Sequence, residues 1–98
     1  NVQTGVDYTA IEIGDYRDLT FEVASVGDGD QAVTFPIAFS VAPSSWDVQI
    51  SMRVDSGKAG LAGLVNSTIT TTGLTVNRED GINDADTPFF IIRVRGLK

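Results

Sequence analysis

The sequence predicts an all-β fold, a six- to seven-stranded antiparallel β-sandwich, and three observations point there. Helical periodicity is absent along the whole chain. Glycine, proline, asparagine and aspartate interrupt it about every ten positions, the spacing of short strands joined by turns. Between those interruptions apolar and polar residues alternate, as in Leu19-Thr-Phe-Glu-Val23 and Val48-Gln-Ile-Ser-Met-Arg-Val54. A period of two places one set of side chains on a buried face and the other on a solvated one.

The elements follow in chain order. Val6 to Asp18 is the least readable stretch, and Ala10 to Ile13 suits either a short strand or an excursion. Leu19 to Ala24 is a half-buried strand, closed by the polar turn Val26-Gly-Asp-Gly-Asp30, whose glycines can take positive φ. Gln31 to Ile37 is the next strand. Phe35, Phe39 and Pro43 then recur every fourth residue, and Pro43 cannot donate to a ladder, so pairing should break there. Asp47 to Val54 is the long strand and Asp55 to Gly60 a loop. Leu64 to Thr71 is rich in β-branched residues and reads as a strand. Gly73 separates it from a short strand at Leu74 to Asn77, Arg78 to Pro88 is a polar loop, and Phe89 to Arg95 is the last strand. The expected core is Phe21, Val33, Phe35, Val48, Ile50, Leu74, Val76 and Ile92, with Trp46 beside it on the parity of Val48. Tyr8 and Tyr16, set among charges, should be exposed.

Composition bounds the function. Ninety-eight residues make one domain, residues 1–98. The chain does not start with Met, which fits a processed protein or the C-terminal part of a longer fibre or lectin protein. A formal charge of −6 argues against nucleic acid, which needs clustered Lys and Arg. Arg93, Arg95 and Lys98 read as a polar strand face. No apolar run approaches the ~18 residues of a membrane-spanning helix, so no membrane insertion is expected. With no cysteine and no histidine, disulfides, structural zinc and imidazole-based triads are excluded, and no cofactor is expected. Three Glu and ten Asp show no spacing that singles out a catalytic pair, so the expectation is a protein that is not an enzyme.

Ala32-Val-Thr-Phe-Pro-Ile-Ala-Phe-Ser-Val-Ala-Pro43 and the alternating Val48/Ile50 strand stand in order with Asn1-Val-Gln-Thr-Gly5 and Thr72-Gly-Leu-Thr-Val76. Together they resemble an H-type lectin domain, the small sandwich of snail agglutinins, of discoidin C-termini and of related phage tail-fibre tips. The resemblance covers about two thirds of the chain. It implies a six-stranded sandwich that assembles as a homotrimer and binds sugar between protomers without a metal, at the cell exterior or on a virion surface. This chain departs from the lectin pattern: it has no histidine, it reads Leu61-Ala-Gly-Leu64 where the family places an arginine, and the family disulfide is missing. Those departures favour the fibre branch.

The candidate carbohydrate-binding residues are Asp28 and Asp30 of the glycine turn and Arg78, Asp80, Asn83, Asp84 and Asp86 of the polar loop, groups suited to vicinal hydroxyls. Solvated loops are the plain alternative for both segments. A calcium loop counted from Asp28 fails, because Phe39 stands where its last acid should. Trp46 and Tyr16 are the natural stacking platforms for a sugar ring. Phe89-Phe-Ile-Ile92 puts bulky groups on both faces of the last strand. Either the Ala10–Asp18 excursion covers the outer pair, Phe89 and Ile91, or a neighbouring copy does. The function expected is a non-enzymatic module recognising a cell-surface glycan as a trimer; the alternative is a trimerisation or fibre-capping domain with no ligand of its own.

Overall fold

The computed structural model describes residues 2–5, 8–27, 29–51, 62–78 and 89–98. Among these the chain is all β, with eight strands: β1 (Val2–Gly5), β2 (Tyr8–Ile13), β3 (Tyr16–Ala24), β4 (Gly29–Thr34), β5 (Ser45–Ser51), β6 (Ala62–Leu64), β7 (Gly73–Arg78) and β8 (Phe89–Leu97). They form two antiparallel sheets, a five-stranded one in the order β1-β2-β3-β8-β5 and a three-stranded one in the order β4-β7-β6. The sandwich expected from alternation is what the chain builds, with β1 added at one edge.

The hairpin β2-β3 turns tightly. Ile13 pairs with Tyr16, so only Gly14 and Asp15 form the loop, and Gly14 takes φ 58°, the positive φ a two-residue hairpin needs. The chain then crosses between sheets four times, and β8 comes to lie between β3 and β5. The segment 35–44 makes one crossing without strand pairing of its own, as the Pro43 break requires. Phe39 N donates to Thr71 O on one side, and Ser40 N and Ser44 N donate to Leu97 O and Arg95 O on the other.

The core lies between the sheets. Leu19, Phe21, Phe90, Ile92 and Val94 come from the larger sheet, Val33, Leu74 and Val76 from the smaller, and Phe35 and Phe39 from the crossing segment. Phe35 packs edge-on against both Phe21 and Phe39, with ring centroids 6.0 and 5.6 Å apart. Each such side chain contributes about 1.5–3 kcal/mol by leaving water. Val48 and Ile50 are half-buried at its margin.

Four sequence expectations need correction. Leu64 to Thr71 is a strand only at its start, because threonine hydroxyls replace the ladder. Thr68 Oγ1 donates to Val65 O and accepts from Thr75 N, and Thr70 Oγ1 accepts from Gly73 N. Trp46 does have inward parity, opposite Val94, yet it is 47% exposed. The strand of the opposite sheet that packs against β5 is β6, which has only three residues. Tyr8, expected at the surface, lies across Gly5 and packs on the core. The Ala10–Asp18 stretch is no cover for β8; it is a hairpin in the same sheet.

Candidate functional site

Among the described residues no layer packs on the outer face of the five-stranded sheet, and its register sorts the side chains into rows. Phe89, and Ile91 between Glu22 and Gln49, occupy one end. Both are half-buried and point outward, alternating with Phe90 and Ile92, which are buried. Arg93 lies between Thr20 and Asp47 in the next row. Ile11, Asp18, Arg95 and Ser45 then align across four strands, and Ile13, Tyr16 and Leu97 close the other end.

A charged belt crosses the middle of this face. Arg93 grips Asp18 with two bonds, Nε to Oδ1 at 3.0 Å and Nη2 to Oδ2 at 2.6 Å, and Arg95 Nε adds a third to Oδ2 at 3.1 Å. The Arg93 bond, with the neighbouring positive charges, holds the Asp18 carboxyl below its ordinary value despite its partial burial. Arg93 is raised in turn by Asp18.

Beside the belt is a concavity of about 620 Å³, lined by Ile11, Ile13, Tyr16, Arg17, Asp18, Ser44, Ser45 and Arg95. Ile13 is 76% exposed and Tyr16 59%. Arg17 sits at its margin, inward-facing. Its Nε donates to Glu12 Oε2 at 2.9 Å, its Nη1 to Ala38 O, and its guanidinium lies 5.5 Å from the Phe39 ring centre. The Arg17 hydrogen bond, helped by Lys98, keeps the Glu12 carboxyl below its ordinary range.

Of the sequence-predicted sugar residues, only Asp30 and Arg78 are described, and they lie at the opposite pole. Asp28, Asp80, Asn83, Asp84 and Asp86 lie outside the described residues. The structure does not bring Asp30 and Arg78 together as a site. Asp30 is exposed on the outer face of the small sheet, where Asn77 Nδ2 donates to it at 2.9 Å. Arg78, expected in an exposed loop, ends β7 with inward parity and is 2% exposed, its Nη1 donating to Ser25 Oγ. It closes that pole of the core. Of the interface candidates, Phe89 and Ile91 do share the outer face.

The sequence reading missed the Ile11–Ile13 wall and the coupling of Arg93 and Arg95 to Asp18. A signal existed for the second: three charges on strands whose alternation was plain. Among the described residues no group of acids is placed to hold a metal ion, and no helix is long and apolar enough to cross a membrane.

No protein-family model matches the chain, and no curated protein does. Among solved structures it is similar to the C-terminal part of the R2 pyocin fibre of P. aeruginosa, with a TM-score of 0.63 and 19% identity over 94% of this chain. The likeness is one of fold. The match takes in 26% of that chain, so the present sequence spans about a quarter of the fibre fragment's length. The fold is thus tail-fibre-like, and the likeness does not single out the H-type lectin.

Proposed function

We propose that this chain is a non-enzymatic recognition module of a tail-fibre-like appendage, acting outside the cell as a homotrimer and meeting a cell-surface glycan. The observation that carries the reading is the fold match over 94% of the chain to part of a pyocin fibre. The open outer face of the five-stranded sheet supports self-association. It carries Phe89 and Ile91 at one end, where the terminal strands of neighbouring copies would meet. Three copies would bury apolar surface and gain avidity for a repeated surface ligand. The H-type lectin resemblance adds the choice of a sugar as ligand. Localisation on a virion or virion-like particle follows from the same fibre reading.

The experiment pairs sedimentation with a glycan array. A trimer that binds any saccharide saturably supports the proposal in full. A stable trimer silent on the array supports instead a structural, fibre-capping role. A monomer at high micromolar concentration removes both.

A further inference from the structure

We propose that the concavity over Ile11, Asp18, Arg95 and Ser45 is a binding subsite for a short acidic saccharide, one whose pyranose rings carry carboxylates. This names a site and a ligand class that the recognition reading leaves open, and it rests on that reading only in taking the ligand to be a saccharide. It lies at the pole opposite Asp30 and Arg78.

Shape comes first. The floor is one row of the sheet, Ile11, Asp18, Arg95 and Ser45, each in register with the next. Three interstrand steps make it about 14 Å long. The groove therefore runs across the strands, over backbone that is already paired within the sheet. A peptide would find no edge here to extend, so recognition must come from side chains. The volume of about 620 Å³ falls among ordinary small-ligand sites.

The chemistry is unequal along the floor. Asp18 is consumed: both its oxygens accept from Arg93, and one accepts from Arg95 as well. Arg95 is only half used. Its Nε bond to Asp18 fixes the guanidinium plane, while its two Nη groups have no partner among the described residues and the side chain is 55% exposed. That leaves a pre-oriented pair of donors of the kind that takes a carboxylate. The hydroxyls of Ser44, Ser45 and Tyr16 are also without partners among the described residues. Ser44 is held in place by its own N–H on Arg95 O. Tyr16 and Ile13 stand beside the floor as an exposed ring and an aliphatic wall, suited to the apolar face of a sugar. Of the two arginines in the lining, Arg17 is paired with Glu12, so the positive charge a ligand meets is that of Arg95 with its neighbour Arg93, set against the single carboxylate of Asp18. Asp47 one row away beside Arg93 and Asp15 at the hairpin tip are the other acids nearest in register.

The test uses the whole chain, with trigalacturonic acid and its methyl ester as probes, followed by calorimetry and by amide shifts in NMR. Saturable binding of the acid is expected, with shifts at Tyr16, Ser45 and Arg95. Esterification, Arg95→Gln and Tyr16→Ala should each weaken it at least about tenfold, the ratio of a lost charge-assisted contact. Asp30→Asn should leave it unchanged. Arg95→Gln keeps a polar side chain without the guanidinium, and circular dichroism checks that it folds. Absence of binding, equal binding of the ester, or indifference to Arg95→Gln overturns the proposal. So does Tyr16→Ala dissociating an oligomer without touching affinity, which would make the groove a subunit contact. A neutral saccharide that binds with shifts at Asp30 would sink this inference while leaving the recognition reading standing.

Discussion

Two glycines in the three-stranded sheet give a sharp test of how closely it is packed. A Cβ built on Gly73 would lie 2.2 Å from the backbone oxygen of Val33, whereas one on Gly63 meets nothing within 4 Å. Both residues sit in strands and neither has positive φ. Gly73→Ala must therefore push β4 away from β7 by more than an ångström at the Thr34–Gly73 pair. The displaced carbonyl belongs to the backbone, so no rotamer change relieves it. The shift strains the adjoining bonds Phe35 N to Thr72 O and Thr70 N to Gly73 O, both 2.8 Å. Overpacking of this kind costs about 1–3 kcal/mol, and weakening one or two net hydrogen bonds adds about 0.5–1.5 kcal/mol each. The sum, about 1.5–6 kcal/mol, is a large part of the roughly 5–15 kcal/mol that holds a domain of this size. At about 4–8 °C per kcal/mol, a loss of about 3 kcal/mol lowers Tm by about 12–24 °C. Gly63→Ala should change stability by less than about 0.5 kcal/mol. Urea and thermal denaturation by circular dichroism, at one protein concentration so that association cancels, measure both. A Gly73→Ala protein within about 0.5 kcal/mol of the parent would refute the reasoning.

Other expectations are equally concrete. Phe90→Ala removes a ring that is 1% exposed on β8, an interior strand, and should cost about 3–5 kcal/mol in denaturant titration. Ile91→Lys should turn the proposed trimer into monomers by sedimentation while keeping β-type circular dichroism. Asp18 and Glu12 both have lowered folded pKa values, so their stabilisation is complete above their ordinary values of 3.8 and 4.5 and is lost as pH falls through the folded ones. Acid titration should thus show a loss of stability confined to pH below about 4.5, smaller in Asp18→Asn than in the parent. Trp46 is the single tryptophan, so iodide should quench native fluorescence readily, and a shielded indole would contradict its exposure.

The strands that were legible are those in which alternation and burial agree. β3, β7 and β8 each bury one parity, as Leu19/Phe21, Leu74/Val76 and Phe90/Ile92 show. The Leu64–Thr71 stretch failed because β-branching counts threonine as strand-forming, while its hydroxyl equally well satisfies a turn. Among the described residues, the sites were hidden for a different reason. Alternation says which residues share a face, but register across strands decides which faces meet, and that is set by contacts far apart in sequence. Asp30 in its turn and Arg78 in its loop each read as an exposed polar candidate. Pairing Gly29 with Arg78 places Asp30 opposite Asn77, so the two side chains leave the sheet on opposite sides.

The hairpin shows the same point with more consequence. Ala10-Ile-Glu-Ile13 alternates cleanly, and burial of apolar surface alone would turn the isoleucines inward. The fold does the reverse: Ala10 and Glu12 face in, while Ile11 and Ile13 face out. Glu12 can be buried because Arg17 stands opposite it in register and bonds its carboxylate, with the Phe39 ring beneath the guanidinium. Turning the strand over would hide two isoleucines but strand that ion pair at the surface and bring Asp18 and Tyr16 into the core. Since the pairing of β3 with β8 already buries Leu19 and Phe21, the register of β2 follows β3, and the isoleucines are left on the outer face. An arrangement that exposes Ile13 in order to keep the core consistent is understandable in isolation. It is better understood if that end of the face meets a ligand, which is where the proposed groove lies.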